Sequence, residues 1–407
     1  MRAIGHEDAR GAAFCALMTL ERESETRAPE VLSRELARVP DARDRGLATE
    51  LVYGVLRWRK ALDGTLERHV ARGLAGLELA AVIWLRLGVY QMTMLDRIPR
   101  EVAVSATQDA ARKAGHGRMT GLLNAVLRKV QALDKDPLRS LPTWVGNELA
   151  TAYGAHVARE AAALRERAVT TLRPTLGKGG REVARAALVG AGLDVADAPH
   201  GYLSVSGGDP FQTRAWEDGL FVAQDPAGAV VIEGIEAGAR VLDMCAGRGI
   251  KATALADRGA RVVAADVSAQ KLEELAALAR RLGVAERIEA SVARDGTTSL
   301  EDLGLFDVVL VDAPCSGLGT LRRHPEIAWR RTPADVVALA DLQRRLVARA
   351  AACVRPGGRL VYAVCSFVRV EGEASLSSGG FEVIDRVDVE PSSGMDAFQV
   401  VRSRRLP

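Results

Sequence analysis

The sequence predicts a multidomain chain: an all-α bundle over residues 1–135, a linker with a small α+β subdomain over 136–218, and an α/β domain over 219–407. Three observations lead there. The 407 residues are about two to three times the length of a usual domain. Through the first third, apolar residues recur at three- and four-residue spacing, the mark of helices with one buried face. From about Gly219 short β-rich runs alternate with helices, as in a doubly wound parallel sheet.

Composition sets the outer limits. Charged residues make up 26% and hydrophobic residues 48%, which excludes a disordered, collagenous or coiled-coil chain. Residues 1–200 hold 30 Lys/Arg against 24 Asp/Glu, and the remainder 25 against 28. A basic front half is compatible with a nucleic-acid partner but does not demand one. No apolar run approaches the roughly 18–20 residues that span a bilayer; the run Leu79–Leu85 stops at Arg86. The opening MRAIGHEDAR lacks the apolar core of a signal peptide, so a cytoplasmic protein with no membrane partner is expected. Five cysteines, odd in number and widely spread, make neither a disulfide framework nor a CxxC site. Six histidines without ligand spacing give no metal site. A monomer is expected.

In chain order, ARGAAFCALMTL, RGLATELVYGVLRWRKALDGTLERHV, LELAAVIWLRLGVYQMTML, REVAVSATQDAARKAG and RMTGLLNAVLRKVQAL read as successive helices. Breaks at Asp41, Gly73–Gly76, Ile98–Pro99 and Gly115–Gly117 separate them. KDPLRSLPTWVG, with two prolines, marks the boundary; TLRPTLGKGG and GLDVADAPHGYLSVSGG then suggest the small α+β subdomain. RVLDMC, RVVAADV, RIEASV, FDVVLVDAP, GRLVYAVCS, FEVIDRV and AFQVVRS read as strands. Most are nearly continuous apolar runs, as buried parallel strands require.

In RVLDMCAGRGIKATALADRGARVVAADVS the first strand ends at Asp243, and small residues then turn into a helix. Small residues allow backbone to approach a ligand closely. A second strand ends at Asp266, placed to accept hydrogen bonds from ribose hydroxyls. Gly247–Ala252 also matches GxGxxA, so the loop by itself suits a nicotinamide dinucleotide as well as S-adenosylmethionine.

The next two strands end in FDVVLVDAPCS and GRLVYAVCS. In an open parallel sheet both carboxyl ends face the same crevice, so Asp312, Cys315 and Cys365 should converge. Hydride transfer has no evident use for two thiols there, whereas methylation of a pyrimidine at carbon 5 does. A thiolate added to carbon 6 breaks the ring's conjugation and makes carbon 5 nucleophilic; a base then removes the carbon 5 proton and the thiol departs. Asp312 is placed to hold the nitrogen edge of such a base outside its stack.

The stretches DMCAGRGIKAT, AADVSAQKLEELAALARRLG, DAPCSGLGTLRRHPEIAW, PGGRLVYAVCS and GMDAF resemble the bacterial ribosomal RNA cytosine-C5 methyltransferases of the RsmB (Sun/Fmu) type, within the NOL/NOP2/Sun family. LATELVYGVLRWR, LRLGVYQMTMLDRIP and GLLNAVLRKV resemble a NusB-like RNA-binding domain. The resemblance covers about 9–130 and 221–402, and implies a NusB-like bundle ahead of a Rossmann-like methyltransferase domain. It implies Cys365 as the attacking nucleophile and Cys315 as the thiol that assists breakdown of the adduct. Cys245, Ala246, Gly247, Arg248, Gly249, Ile250 and Lys251, with Asp266, Asp295 and Asp312, would bind S-adenosyl-L-methionine. Asp312 and Lys251 would also approach the target pyrimidine in small-subunit (16S) ribosomal RNA.

Family loops read CAAPGGKT; this chain has Arg248 for Pro and Ile250 for Gly, the latter adding a side chain where backbone should face the ligand. Val364 replaces a Thr, and Gly372 an Asn in an ENE-like element. Arg322, Arg323 and Arg330, following the Cys315 loop, are candidates for RNA phosphate contacts, against the plainer reading of a solvated face. Cys15, Cys245 and Cys353 sit on apolar stretches and read as small buried hydrophobes. Three other functions compete with this enzyme. They are a catalytically degenerate RNA-binding ribosome-assembly factor, a nicotinamide-dependent oxidoreductase resting on GxGxxA, and an amine-directed methyltransferase, which would need a stacking ring where Cys315 stands.

Overall fold

The computed structural model describes residues 8–23, 26–373 and 380–407. The chain divides into two compact units. One runs to Arg165 and takes in Arg323–Arg330; the other comprises Glu166–Arg322 and Arg331–Pro407.

The first unit is helical: α1 (Ala9–Arg22), α2 (Ala28–Leu36), α3 (Ala42–Glu67), α4 (Leu79–Met94), α5 (Arg100–Lys113), α6 (Thr120–Leu127), α7 (Thr143–Tyr153) and α8 (Val157–Arg165). Side-chain caps start two of them. Asp8 accepts from Gly11 N at 2.8 Å and Asp41 from Arg43 N at 2.7 Å, satisfying amides that a first turn leaves open. Helix α4 is buried continuously from Ala81 to Gln91, which makes it the central helix of the bundle. Trp84 stacks on Phe14 at 4.4 Å between centroids and donates to His116 Nδ1. Arg86, also buried, forks onto both oxygens of Asp63 at 2.7 and 2.8 Å and reaches Glu21, pairing a charge that would otherwise be costly to bury. The unit continues past residue 135, where the prolines suggest a boundary. Lys60 Nζ donates to Thr143 Oγ1, and the buried Arg165 donates to the Arg57 carbonyl, so α7 and α8 join the bundle.

The second unit contains two sheets. Strands β1 (Thr170–Pro174), β2 (Asp194–Asp197), β3 (Leu203–Ser206) and β4 (Phe221–Ala223) form an antiparallel sheet in the order β2-β3-β1-β4, with α9 (Gly180–Gly190) and the short α10 (Arg214–Glu217). The suggested α+β subdomain is therefore present, and Leu172, Leu188, Leu203 and Phe221 form its core.

After α11 (Ala227–Val231) the larger sheet is built from β5 (Arg240–Asp243), β6 (Arg261–Asp266), β7 (Ile288–Ala293), β8 (Phe306–Asp312), β9 (Val354–Val364), β10 (Phe381–Val389) and β11 (Phe398–Arg405). Their order is β10-β11-β9-β8-β5-β6-β7. The five strands β5 to β9 run parallel, while β11 pairs antiparallel with both β9 and β10. All seven strand runs read from the sequence are found, but the sheet is mixed rather than wholly parallel. The turn at Pro391–Gly394 is too short for a parallel crossover, so the last two strands can only form a hairpin.

Helices cover both faces. Val241, Val308, Leu310, Val361 and Ala363 pack with α12 (Ile250–Asp257) and α13 (Ala269–Leu282) on one side. Leu242, Val309, Val311, Leu360 and Tyr362 pack with α15 (Pro333–Cys353) on the other. Adjacent residues point to opposite faces because the strand period is two. Helices α14 (Ile327–Arg330) and α16 (Arg369–Gly372) complete the chain. Among the described residues no helix is long and apolar enough to cross a membrane.

Candidate active site

The parallel pairing of β8 with β9 sets the site. Asp312 lies opposite Ala363, and Ala313 N donates to Ala363 O at 2.9 Å. Cys315 therefore leaves one strand end three residues beyond Asp312, and Cys365 leaves its neighbour two residues beyond Ala363. Their Sγ atoms meet at 3.1 Å. Cys315 is pushed well above the usual thiol range by its hydrogen bond with Cys365, by burial and by the charge of Glu371. It keeps its proton at neutral pH and so can donate across the S–H···S contact.

Lys251, in the first turn of α12, forms a close ion pair with Asp312 and lies over the Phe398 ring at 5.4 Å. Burial works against the ammonium, but Asp312, by charge and hydrogen bond, then Cys365 and Asp243, raise Lys251 above its ordinary range. Lys251 remains charged. The sequence-derived quartet of Cys315, Cys365, Asp312 and Lys251 is thus gathered at the carboxyl ends of the parallel strands.

The loop between β5 and α12 turns through Gly247 (φ 54°) and Gly249 (φ 82°). A Cβ on Gly249 would stand 2.3 Å from Leu275 Cγ, so this position requires glycine on both counts. Gly247 N donates to Asp266 Oδ2 at 2.9 Å, and Ser268 N to Asp266 Oδ1 at 2.9 Å. The carboxylate at the end of β6 thereby fixes the loop against its strand. Ala246 is buried; Cys245 is half-buried, and burial with Asp243 pushes its thiol far up, as suits a small space-filling residue. Arg248 points away to Glu274 at 2.8 Å. Ile250 packs against the apolar layer under α12 and α13, so its added side chain is spent on the core. Asp295 is exposed and accepts from Thr297 N and Oγ1, both at 2.8 Å, which lowers its pKa.

One residue of this region carries more than its sequence position shows. Asp243 is 1% exposed, and its Oδ1 is buried without a hydrogen-bond donor among the described residues. Burial first, then the charge of Asp312, pushes its carboxyl up to about 7. Asp243, Asp266 and Asp312 face two cations, Lys251 paired with Asp312 and Lys271 at 3.9 Å from Asp266, which leaves the three carboxylates one positive charge short. A ligand bearing an ammonium or sulfonium group fits that deficit, and an anionic pyrophosphate does not.

The three candidate RNA arginines lie elsewhere. Arg330 belongs to the helical unit, where its guanidinium donates to the carbonyls of Leu20 and Glu23 at 2.9 Å and Thr26 at 2.5 Å. Leu20 and Glu23 lie at the end of α1, where carbonyls lack helical partners, and Thr26 just ahead of α2. Trp329 Nε1 donates to Leu56 O, and Glu326 accepts from Ala28 N, so the segment Arg323–Arg330 is part of that unit's packing. Arg323 is half-buried within it. Arg322 is 7% exposed and donates to Gly394 O at 3.0 Å. Nearness in sequence to the Cys315 loop does not leave Arg322 and Arg330 as free phosphate donors.

Comparison with known proteins agrees with both units. Residues 231–379 match the family model described as 16S rRNA methyltransferase RsmB/F, and residues 7–132 that of the NusB family. A ribosomal RNA small subunit methyltransferase B from Thermus thermophilus is 32% identical over 98% of this chain and 98% of its own length. A putative methyltransferase of Mycobacterium tuberculosis is 35% identical over 80% of this chain and 76% of its own. The crystal structure of PH0851 shares the fold at TM-score 0.81 with 20% identity, covering 98% of this chain and 99% of that one. The helical front, the mixed-sheet domain and the full-length similarity make this chain a member of the ribosomal RNA small subunit methyltransferase B family.

Proposed function

We propose that the chain methylates carbon 5 of a cytosine in 16S ribosomal RNA, using S-adenosyl-L-methionine, through a covalent adduct between Cys365 and the pyrimidine. The observation that carries this reading is the pair of sulfurs 3.1 Å apart next to the Lys251–Asp312 ion pair. An enzyme acting on an amine or a hydroxyl has no use for two facing thiols.

The chemistry follows from what cytosine lacks. Carbon 5 is a weak nucleophile until carbon 6 is saturated. Cys365 Sγ, as thiolate, bonds to carbon 6, and the electron pair displaced from the ring double bond gathers on carbon 5. Asp312 is positioned to hold the base's nitrogen edge, and Lys251, kept cationic, offsets charge that builds on the ring. S-adenosylmethionine, when bound, supplies an electrophilic methyl group. Its positive charge suits the excess of carboxylate at Asp243, Asp266 and Asp312, with the Cys245–Lys251 loop, Asp266 and Asp295 as the residues that would hold it. Once carbon 5 is methylated, its proton passes to a base, the carbon 6–sulfur bond breaks, and the bonding pair returns to Cys365. Cys315, holding its proton, stands within reach of the departing sulfur. The helical unit would present the RNA, in the cytoplasm where ribosomal subunits are assembled.

The test is methyl transfer from labelled S-adenosylmethionine to unmodified small-subunit RNA, followed by bisulfite sequencing. A cytosine newly resistant to bisulfite, lost with Cys365→Ala, is expected. Label on an exocyclic amine or a ribose hydroxyl would overturn the assignment.

A further inference from the structure

Glu371 is a fully buried carboxylate six residues beyond Cys365. Its Oε1 accepts from Ser316 N at 2.7 Å and Gln343 Nε2 at 3.2 Å; its Oε2 accepts from Ser316 Oγ at 2.6 Å and Ser366 Oγ at 2.5 Å. Both serines directly follow a thiol-bearing residue, Cys315 in one case and Cys365 in the other, and their hydroxyls are 3.1 Å apart. A single carboxylate therefore spans the two Cys-Ser turns. All four donors are neutral groups, so desolvating this charge is offset by hydrogen bonds alone.

The backbone around Glu371 is held as firmly. Tyr362 Oη donates to the Glu371 carbonyl. Gln399 Nε2 donates to Ser366 O at 2.9 Å and Val368 O at 3.0 Å. A Cβ on Gly372 would lie 2.0 Å from Gln399 Oε1, so the glycine leaves room for that amide. A buried charge beside a thiol that must ionise is a poor way to gain stability, and an apolar residue would do that better. What the carboxylate does gain is a fixed geometry between two turns that belong to different strands.

We propose that Glu371 is a positioning residue: its carboxylate clasps Ser316 to Ser366 and thereby sets the separation of the Cys315 and Cys365 sulfurs. This rests on the reading that both thiols act in one catalytic cycle, and it deepens that reading. Glu371 itself touches neither sulfur. Loosening the clasp misplaces the thiols while leaving the cofactor loop and the helical unit as they are.

Proximity of the thiols is measurable without turnover. Phenylarsine oxide binds tightly only where two thiols can bridge one arsenic atom, so its affinity for the full-length protein reads the Sγ–Sγ geometry. Glu371→Ala is expected to weaken that affinity by about tenfold or more and to lower kcat by about 100-fold, as ångström-scale misplacement does. KM for RNA and S-adenosylmethionine affinity should stay within about twofold. Glu371→Gln keeps Oε1 as an acceptor and offers its amide to the serine hydroxyls, so it should recover most of both losses. Should Glu371→Ala not fold, the double variant Ser316→Ala/Ser366→Ala removes the hydroxyl arms and carries the same expectation. Unchanged arsenical affinity in a folded clasp variant would overturn the proposal. Lost affinity in a protein whose wild type methylates some other atom would uphold the clasp and remove the carbon 5 reaction instead.

Discussion

Gly319 N–H donates to the carbonyl oxygen of Cys365 at 3.0 Å, and Gly319 O accepts from Ala397 N at the same distance. The loop that leaves one thiol is thus bonded to the backbone of the other. A Cβ on Gly319 would stand 2.1 Å from Ala397 O and 2.9 Å from the Cys365 carbonyl carbon. Neither neighbour is the free end of a side chain, so backbone must move. Gly319→Ala should cost about 1–3 kcal/mol and lower methyl transfer beyond what that loss explains. Thermal denaturation beside initial rates checks both; an unchanged melting temperature would show that the loop accommodates the methyl.

Cys315→Ala should leave cofactor affinity near wild type but stall release of the nucleic acid. Incubation with unmodified small-subunit RNA and S-adenosylmethionine is then expected to yield a species that migrates slowly on denaturing gels. Further substitution of Cys365 should abolish it. A clean Cys315→Ala lane would mean that departure of the sulfur needs no help from its neighbour.

Asp243 gives a pH signature. Its folded carboxyl is raised from 3.8 to about 7, so the folded state binds this proton more tightly than the unfolded chain does. The resulting stability is complete below about pH 4 and is lost as pH rises through about 7. Asp243→Asn should remove that component and stabilise the ligand-free protein above pH 7 by at most about 4 kcal/mol. In the wild type, S-adenosylmethionine should bind more tightly as Asp243 ionises, and in the variant this gain should vanish. Denaturant melts and titration calorimetry at pH 5, 6, 7 and 8 would show it; parallel pH profiles for the two proteins would exclude it.

Arg330→Met removes two carbonyl contacts at the end of α1 and one ahead of α2, and should destabilise the helical unit by about 2–4 kcal/mol. The slope of log affinity for RNA against log salt should not change, whereas loss of a phosphate contact would lower it by nearly one. Filter binding from 50 to 200 mM salt separates the two roles.

Sequence periodicity carried the fold a long way. The α4 run around Trp84 and the seven strand runs are readable because apolar burial imposes period 3.6 or 2 on the residues themselves. The antiparallel placing of β11 beside β9 was not, since a strand's own sequence does not record which neighbour it pairs with. The thiols and Asp312 were legible through their motif and the rule that parallel strand ends share a crevice. Glu371 was not. The ENE-like element around Gly372 marks two glutamates, Glu371 and Glu373, without saying what either bonds, and only the repeated Cys-Ser at two adjacent strand ends hinted at a shared partner. Arg330 misled for the opposite reason: its charge suggests phosphate, while the carbonyls it serves lie about 300 residues earlier in the chain.

Adjacent pairing of β8 and β9 carries one more consequence. Interstrand backbone spacing brings the two strand ends together, and a few anchors in the crossover, Cys315, Ser316, Gly319 and Gln343, then fix the reactive atoms there. Evolution can lengthen, shorten or rewrite the stretches between those anchors, as an engineer can, and the chemistry stays in register so long as the ladder and the anchors hold.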